Sequence, residues 1–254
     1  IGAELSKIFT RSYKIDCKVK TKIVSVEKKK GSVICQLSGE CNDRIEASHV
    51  LIAAGRSPVT SKVGLESTRA KTEKGYIQVN EFMMTAEEGL YAIGDIVNTP
   101  WLAHVASDEG IVAAEHAARS LGKSIEPHPI NYTRVPSCTY CDPEVSSIGL
   151  TEQKAKDQGY QVAVGQFPFM PMAKANILGE AHGFIKIVSD TKYGEILGIH
   201  IIGPKATELI ASSVALMGGE FTVLTLMHTM YPHPTLNEVF PEAARAVHKQ
   251  SINM

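Results

Sequence analysis

The chain has 254 residues, of which 44% are hydrophobic and 21% charged, and its formal net charge is −1. This composition is that of a globular protein with a sizeable core. The charge gives no electrostatic reason to bind nucleic acid or a membrane surface, and no apolar run reaches the ~18 residues that span a bilayer. Five irregularly spaced cysteines argue against a secreted disulfide framework and favour a reducing compartment.

The first part of the chain predicts α/β organisation. One-sided apolar residues predict a helix over 1–12, and alternating patterns predict strands over 15–29 and 31–39 with a charged turn between them. The continuous apolar run "SHVLIAAG" (48–55) predicts a strand buried on both faces of a mostly parallel sheet.

A polar, loop-rich span follows, up to Gly89. "LYAIGD" (90–95) then predicts another short strand, and 108–122 predicts an amphipathic helix closed by Gly122. The proline-rich stretch "EPHPINYTRVPS" is typical of a linker or edge segment, so we set a domain boundary near residue 127.

The remaining residues predict an α+β domain. Apolar strands are expected over 183–190 and 195–203 as an antiparallel pair, followed by helices over 206–219 and 235–249. Pro241 should kink or restart the second helix. Strands first and helices last indicate an antiparallel sheet with helices packed on it.

"YAIGD" has a pattern that suits a ligand. A glycine lets the backbone approach a ligand closely, and Asp95 is left at the end of a strand, where a carboxylate can accept from sugar-like hydroxyls. Downstream, "WLAH" could present Leu102, Ala103 and His104 at a helix start, where N–H groups are free. The same letters also fit a Gly-Asp turn and an ordinary helix entry without a ligand.

"HPTLNE" is more specific. Thr235 and Glu238 have the spacing of a capping box, which predicts a helix start at Thr235. His233 precedes that start between two prolines, which stiffen its backbone. A rigidly held imidazole suits proton transfer, and a carboxylate at its other nitrogen would orient it. From these residues alone, a buried structural histidine is an equal alternative.

"CTYC" contains Cys138 and Cys141 at the spacing of a redox pair or half of a zinc site. A structural zinc site needs four ligands, and no second C-x-x-C exists. Cys35 and Cys41 lie on the predicted hairpin, without a helix start or cation that would lower a thiol pKa. We therefore interpret Cys138 and Cys141 as structural, with redox or metal use as the alternative, and predict no metal site.

The motifs taken in order resemble one family. "VLIAAGRSP", "LYAIGDI", "LAHVASDEG", "PEVSSIGLTE", "GIHIIGP" and "HPTLNE" follow one another as in the carboxyl-terminal portion of the dihydrolipoyl dehydrogenase family of flavoprotein pyridine nucleotide-disulfide oxidoreductases. The resemblance extends over essentially the whole chain. Glu238 is followed by Val239 rather than by a second acidic residue, and the chain ends without a cysteine pair. Both features favour this family over glutathione- and mercuric-reductase-like relatives.

The resemblance implies FAD and NAD as cofactors of the complete enzyme. Implied FAD contacts are Asp95, on the ribityl chain, and Trp101, Leu102, Ala103 and His104, beside the flavin. Gly55 matches a glycine near the nicotinamide nucleotide, and Ile23 falls where the family has a residue against the adenine. His233 matches the base that exchanges a proton with the thiols of dihydrolipoamide, and Glu238 matches its orienting carboxylate.

The resemblance also implies an organisation and partners. Residues 1–60 are expected to be the remainder of the NAD-binding domain, 61–127 a central segment with FAD contacts, and 128–254 the dimerisation domain. Implied partners are a second copy and a lipoyl-bearing acyltransferase or carrier protein of a 2-oxoacid dehydrogenase or glycine cleavage complex, in the cytoplasm or the mitochondrial matrix.

The family's two glycine fingerprints and its redox cysteine pair are not found in this sequence, which begins without methionine. We therefore expect the chain to be part of a longer protein, inactive alone and with little or no FAD. The alternative is a cofactor-free dimerisation and partner-binding module.

Overall fold

The structure is a computed structural model that describes residues 1–253. These residues divide into two compact units, residues 2–57 and a second unit that starts at Pro58. Among the helices of residues 1–253, none combines the length and the apolar character needed to cross a membrane.

The first unit consists of one helix and a three-stranded antiparallel sheet. Its elements are α1 (Gly2–Ser12), β1 (Thr21–Lys29), β2 (Ser32–Gly39) and β3 (Arg44–Ala47), with strand order β1-β2-β3. β1 and β2 form the predicted hairpin, although β1 begins at Thr21 rather than at residue 15. The hairpin turns at Gly31 with φ +86°. This left-handed conformation costs glycine little. The buried apolar residues of the hairpin lie on β2 and include Ile34 and Leu37.

The strand predicted over 48–55 is wrong. These residues form no strand, and Leu51 is 90% and Ile52 82% exposed. A strand buried on both faces needs a hydrogen-bonded neighbour and a packed layer over each face. The sheet of residues 2–57 ends at β3 and supplies neither.

The second unit begins with short elements around a small apolar cluster of Ile77, Ala92 and Val97. Its elements are a 3₁₀ turn (Leu65–Ser67), β4 (Thr72–Glu73), β5 (Tyr76–Ile77), a second 3₁₀ turn (Gly94–Ile96) and α2 (Ala103–Ser120). β4 and β5 form a two-stranded antiparallel ribbon.

The strand predicted over 90–95 is also wrong. Tyr91 makes one antiparallel bridge, to Met84, and Gly94 then begins a 3₁₀ turn with φ +70°. The left-handed glycine ends the extended conformation, so Asp95 lies in a turn rather than at the end of a sheet strand.

The helix predicted over 108–122 exists and begins five residues earlier, at Ala103. Val105 and Val112 are buried on one face, while Ser107 and Asp108 are exposed. The apolar periodicity of α2 thus begins before Ser107 and Asp108, which lie on its exposed face. Gly122, with φ +81°, follows the helix end as predicted.

A five-stranded antiparallel sheet with helices forms the rest of the unit, in strand order β6-β7-β10-β9-β8. The strands are β6 (Ser137–Thr139), β7 (Glu144–Gly149), β8 (Val162–Pro168), β9 (Phe184–Asp190) and β10 (Ile196–Gly203). The helices are α3 (Glu152–Asp157), α4 (Ala173–Leu178), α5 (Ala206–Gly218), α6 (Val223–His228) and α7 (Val239–Val247). β9 and β10 pair antiparallel, which confirms the predicted pair.

All eight residues of β10 are buried. Ile199 and Ile201 of β10 belong to the main apolar core together with Phe240 of α7. α7 also packs closely on β8, because a Cβ added at Gly165 would overlap the carbonyl oxygen of Ala243. Sheet and helices therefore share one core, as the α+β prediction requires.

Pro241 lies in the first turn of α7, where its missing N–H breaks no intrahelical bond. A 3₁₀ turn (Leu236–Glu238), with Thr235 as its N-cap, precedes α7. The helical segment therefore starts after Thr235 and restarts as an α-helix just before Pro241, as predicted.

Candidate active site

His233 and Glu238 form a hydrogen-bonded pair at the loop that leads into α7. Nδ1 of His233 lies 2.9 Å from Oε1 of Glu238. Pro232 precedes His233 and Pro234 follows it, and each proline ring fixes its own φ. The imidazole is thus held by a stiff backbone on one side and by a carboxylate on the other.

The second oxygen of Glu238 holds the start of the helical segment. Oε2 accepts from the backbone N–H of Thr235 at 2.9 Å and contributes to the capping box. The hydroxyl of Thr235 donates to the carbonyl oxygen of Pro232 at 2.8 Å. Glu238 was expected both to cap the helix and to orient the imidazole. It can do both, because each role uses a different carboxylate oxygen.

The pair leaves one imidazole nitrogen available. An ionised carboxylate only accepts hydrogen bonds, so Nδ1 carries the proton and Nε2 the lone pair. Within residues 1–253, Nε2 of His233 makes no hydrogen bond, and the side chain is 68% exposed against 21% for Glu238. The arrangement can take a proton at Nε2 from a ligand on the solvent side, and Glu238 would stabilise the imidazolium that results.

Asp95 lies in the 3₁₀ turn directly after Gly94 and is exposed. This turn packs against α2. α2 starts without a side-chain cap and has no acidic residue in its first turn. Its free N–H groups and positive dipole end favour an electron-rich ligand, and Asp95 can accept from hydroxyls. These groups suit a ligand that has several hydroxyl groups and an electron-rich part, such as a flavin nucleotide.

The other predicted FAD residues surround the start of α2. The ring centroid of Trp101 lies 5.8 Å from that of Tyr76. Leu102 is the N-cap, and Ala103 and His104 are exposed at the first turn. Nε2 of His104 lies 3.0 Å from the carbonyl oxygen of Pro136 and donates to it, because a carbonyl only accepts.

The predicted nucleotide residues lie in the first unit. Ile23 is on β1, 51% exposed, next to an irregularity in its pairing with β2. Gly55 follows β3 with φ +120°, and nothing lies within 4 Å of a Cβ built there. An exposed apolar side chain and an open glycine fit the close approach of an adenine and a nucleotide backbone.

Glu109 was missed by the sequence analysis. It lies on α2 with no exposed surface, and its Oε2 accepts from the N–H of Gly94 at 2.6 Å. A signal was present in the sequence. Val105, Glu109 and Val112 follow one another at i, i+4 and i+7, which puts a carboxylate on the buried face of the helix.

The thiol of Cys138 in "CTYC" is not activated by its surroundings. Cys138 lies on β6 and packs against the main core, and burial, followed by the nearby Glu144 and Glu208, raises the pKa of its thiol. Sγ of Cys141 lies 3.1 Å from the carbonyl oxygen of Pro143. Since the thiolate is the reactive form, a raised pKa disfavours redox or metal chemistry at Cys138.

Two family models match the chain. The model described as "Pyridine nucleotide-disulphide oxidoreductase" matches residues 1–110, and the "Pyridine nucleotide-disulphide oxidoreductase, dimerisation domain" matches residues 135–244. The chain therefore belongs to the pyridine nucleotide-disulphide oxidoreductase family, a class of flavoprotein disulfide reductases.

Its curated relatives include dihydrolipoyl dehydrogenases. The chain is 44% identical to that of Bacillus subtilis over 82% of its own length and 43% of the relative. It is 35% identical to the mitochondrial dihydrolipoyl dehydrogenase of Pisum sativum over 100% of its own length and 51% of the relative. The chain thus spans about half the length of the curated relatives it matches.

A solved structure has the same fold. LpdA from Mycobacterium tuberculosis superposes with a TM-score of 0.77 at 27% identity, over 89% of this chain and 48% of that one. The match to a dimerisation-domain model supports a homodimer.

Proposed function

We propose that this chain is part of a dihydrolipoyl dehydrogenase, an FAD-dependent enzyme that oxidises dihydrolipoamide with NAD⁺. The observation that carries the proposal is the His233–Glu238 pair. One carboxylate fixes the helix start and the imidazole together, and leaves Nε2 exposed with a lone pair.

His233 would act as the base for the dithiol substrate. A free alkyl thiol is mostly protonated at neutral pH, and the thiolate is the form that attacks a disulfide. Nε2 of His233 takes the thiol proton, and Glu238, hydrogen-bonded at Nδ1, stabilises the resulting imidazolium. An imidazole titrates near the working pH, so it can also return the proton.

Asp95 and the start of α2 would hold FAD. Asp95 would accept from the ribityl hydroxyls, and Trp101, Leu102, Ala103 and His104 would line the flavin beside the free N–H groups of α2. When bound, the flavin supplies the electron relay between the dithiol chemistry and the nicotinamide. Ile23 and Gly55 would contact NAD on the first unit.

The complete enzyme would act as a homodimer through residues 128–254 and receive its substrate from a lipoyl-bearing acyltransferase or carrier protein of a 2-oxoacid dehydrogenase or glycine cleavage complex. We infer a location in the cytoplasm, or in the mitochondrial matrix in a eukaryote, which the name of the pea relative supports. Light scattering tests the dimer, and a monomer would contradict it.

The activity is tested with two proteins side by side. The 254-residue chain is expected to be colourless and inactive, since it lacks a flavin fingerprint and redox cysteine pair. The complete protein that contains it should be yellow and should reduce NAD⁺ with dihydrolipoamide. A colourless, inactive complete protein would support a cofactor-free binding module instead. Preferential reduction of glutathione disulfide or mercuric ion would support a related reductase.

A further inference from the structure

Glu109 of α2 has no exposed surface, although it is a charged residue. Its Oε2 accepts from the N–H of Gly94 at 2.6 Å, and its Oε1 accepts from the hydroxyl of Tyr132 at 2.9 Å. Fully buried carboxylates are rare unless they are paired or hydrogen-bonded. Both donors here come from elements other than α2, so the carboxylate joins three parts of the second unit.

Gly94 is held on both of its sides. Its N–H donates to Glu109, and its carbonyl oxygen accepts from the N–H of Val97 at 3.0 Å. Its φ of +70° is left-handed, and a Cβ built there would lie 3.4 Å from the Cβ of Ala106 on α2. The residue directly before Asp95 therefore has a fixed peptide orientation, and Glu109 provides one of the two bonds that fix it.

We propose that Glu109 is a positioning residue for the flavin site, which holds the Gly94–Asp95 turn in the conformation that presents Asp95 to the ribityl hydroxyls. This inference rests on the function proposed above. Glu109 acts through Gly94 rather than by touching the cofactor.

Tyr132 completes the arrangement. Its hydroxyl occupies Oε1 and leaves Oε2 to Gly94, so the plane of the carboxylate is fixed. Burial and the Glu109 carboxylate raise the pKa of Tyr132, which keeps the hydroxyl protonated and donating at physiological pH. Tyr132 belongs to a 3₁₀ turn (Tyr132–Arg134) just before the match to the dimerisation domain begins, at residue 135. The Asp95 turn is thereby tied to the segment that enters that domain.

A purely structural role of Glu109 predicts a different outcome. Its loss would lower stability but leave the FAD affinity of the folded protein unchanged. A positioning residue instead changes FAD affinity and the flavin environment in protein that is fully folded.

The main test compares variants of the complete flavoenzyme. E109L removes both acceptors and should raise the FAD dissociation constant roughly 10- to 100-fold, the range for losing a hydrogen bond to a charged acceptor. E109Q should stay within about threefold, because its amide oxygen accepts from Gly94 while its NH₂ donates to the Tyr132 oxygen. Flavin fluorescence during titration of the apoenzyme reports affinity, and the visible spectrum of the bound flavin reports its environment.

E242L is the matched control. Glu242 is 2% exposed in the same unit and accepts from the backbone N–H of Ile252 at 2.8 Å. E242L should lower the melting temperature and leave FAD affinity unchanged. Equal losses of FAD affinity in E242L and E109L would assign both carboxylates a structural role and overturn the proposal.

A second variant keeps the proposal testable if E109L does not fold. E109D keeps the charge but withdraws the carboxylate by one methylene, so it should also lose FAD affinity while folded. In the 254-residue chain, hydrogen exchange at the Gly94 amide should accelerate in E109D or E109L, and unchanged exchange contradicts the proposal. A complete wild-type protein without flavin would sink the proposed function. A flavin-bearing wild type whose E109L and E109D bind FAD equally well would sink this inference alone.

Discussion

The loop that carries His233 and the sheet that carries His200 give the same side chain opposite surroundings. His200, on β10, is 6% exposed, with Nδ1 3.0 Å from the hydroxyl of Ser147 and Nε2 3.0 Å from the carbonyl oxygen of Leu150. His233 is mostly exposed and is bonded only at Nδ1 within the part of the chain that the structure describes.

The difference lies in the second nitrogen. The carbonyl of Leu150 only accepts, so Nε2 of His200 carries the proton and Nδ1 accepts from Ser147. Burial, and to a smaller extent the charge of Lys186, lower the pKa of His200, while the bond to Leu150 opposes them. His200 is therefore a neutral residue with no lone pair left over, whereas His233 keeps one. A histidine is a candidate base when one nitrogen is oriented and the other is unoccupied.

Replacing His233 with glutamine should have the largest effect. In the complete enzyme, dihydrolipoamide turnover should fall roughly 10²–10⁴-fold, the usual contribution of general acid–base catalysis. The flavin spectrum should be retained, because His233 is not among the expected flavin contacts. His248→Gln, at an exposed histidine just after α7, is the matched control and should turn over normally. Near-normal turnover of His233→Gln would contradict the role of His233 as the base and would leave it no different from His200 in this respect.

Replacing Glu238 with glutamine tests the carboxylate that orients His233. The effect should be smaller than that of His233→Gln, because an amide can still cap the helix. It should still be clear, because both carboxylate oxygens accept, one from Thr235 N–H and one from Nδ1 of His233, and an amide has one acceptor oxygen. Turnover should fall roughly 10- to 100-fold through loss of a charge-assisted bond. Steady-state kinetics decide, and a rate within threefold would show that orientation by Glu238 is unimportant.

Acidification should weaken the contribution of His200 to stability. The folded pKa of His200 is lowered, so its contribution to stability is fully present above about pH 6.5 and is lost as pH falls from there toward the folded value. The slope attributable to one group is at most about 1.4 kcal/mol per pH unit. Urea unfolding between pH 8 and pH 5.5 should show a smaller pH dependence in His200→Gln than in wild type.

His248→Gln, at an exposed histidine, is the control for this experiment and should keep the wild-type pH dependence. If His200→Gln also keeps it, another group causes the acid sensitivity.

Local patterns made part of the molecule predictable. The β1–β2 hairpin, the β9–β10 pair and the helical start after Thr235 depend on alternation and cap spacing within a few residues. The close pairing of His233 with Glu238 follows for the same reason, since the capping box brings Glu238 back over the loop.

Contacts with distant residues were not predictable. The runs 48–55 and 90–95 have the letters of buried strands, but a strand needs a partner, and the sequence does not state whether one is present. The Glu109–Gly94 bond joins a helix to a turn 15 residues away, and only the carboxylate on an apolar face pointed to it. The helix predicted from Asp108 begins earlier, at Ala103, because Asp108 lies on the exposed face of α2 rather than at its start.

The smallest expected effect is on the free energy of unfolding, which should distinguish His233 from His200. His233→Gln should change the free energy of unfolding by less than about 0.5 kcal/mol, the usual range for an exposed position. The side chain is 68% exposed, and Oε2 of Glu238 still caps Thr235 when the imidazole is gone. His200→Gln should cost about 1–3 kcal/mol at pH 8, because it disturbs two buried hydrogen bonds. Urea unfolding of the wild-type chain and both variants at pH 8 measures the difference. If His233→Gln destabilises the chain as much as His200→Gln does, His233 is a structural residue, and its exposed lone pair is incidental to the packing of the loop.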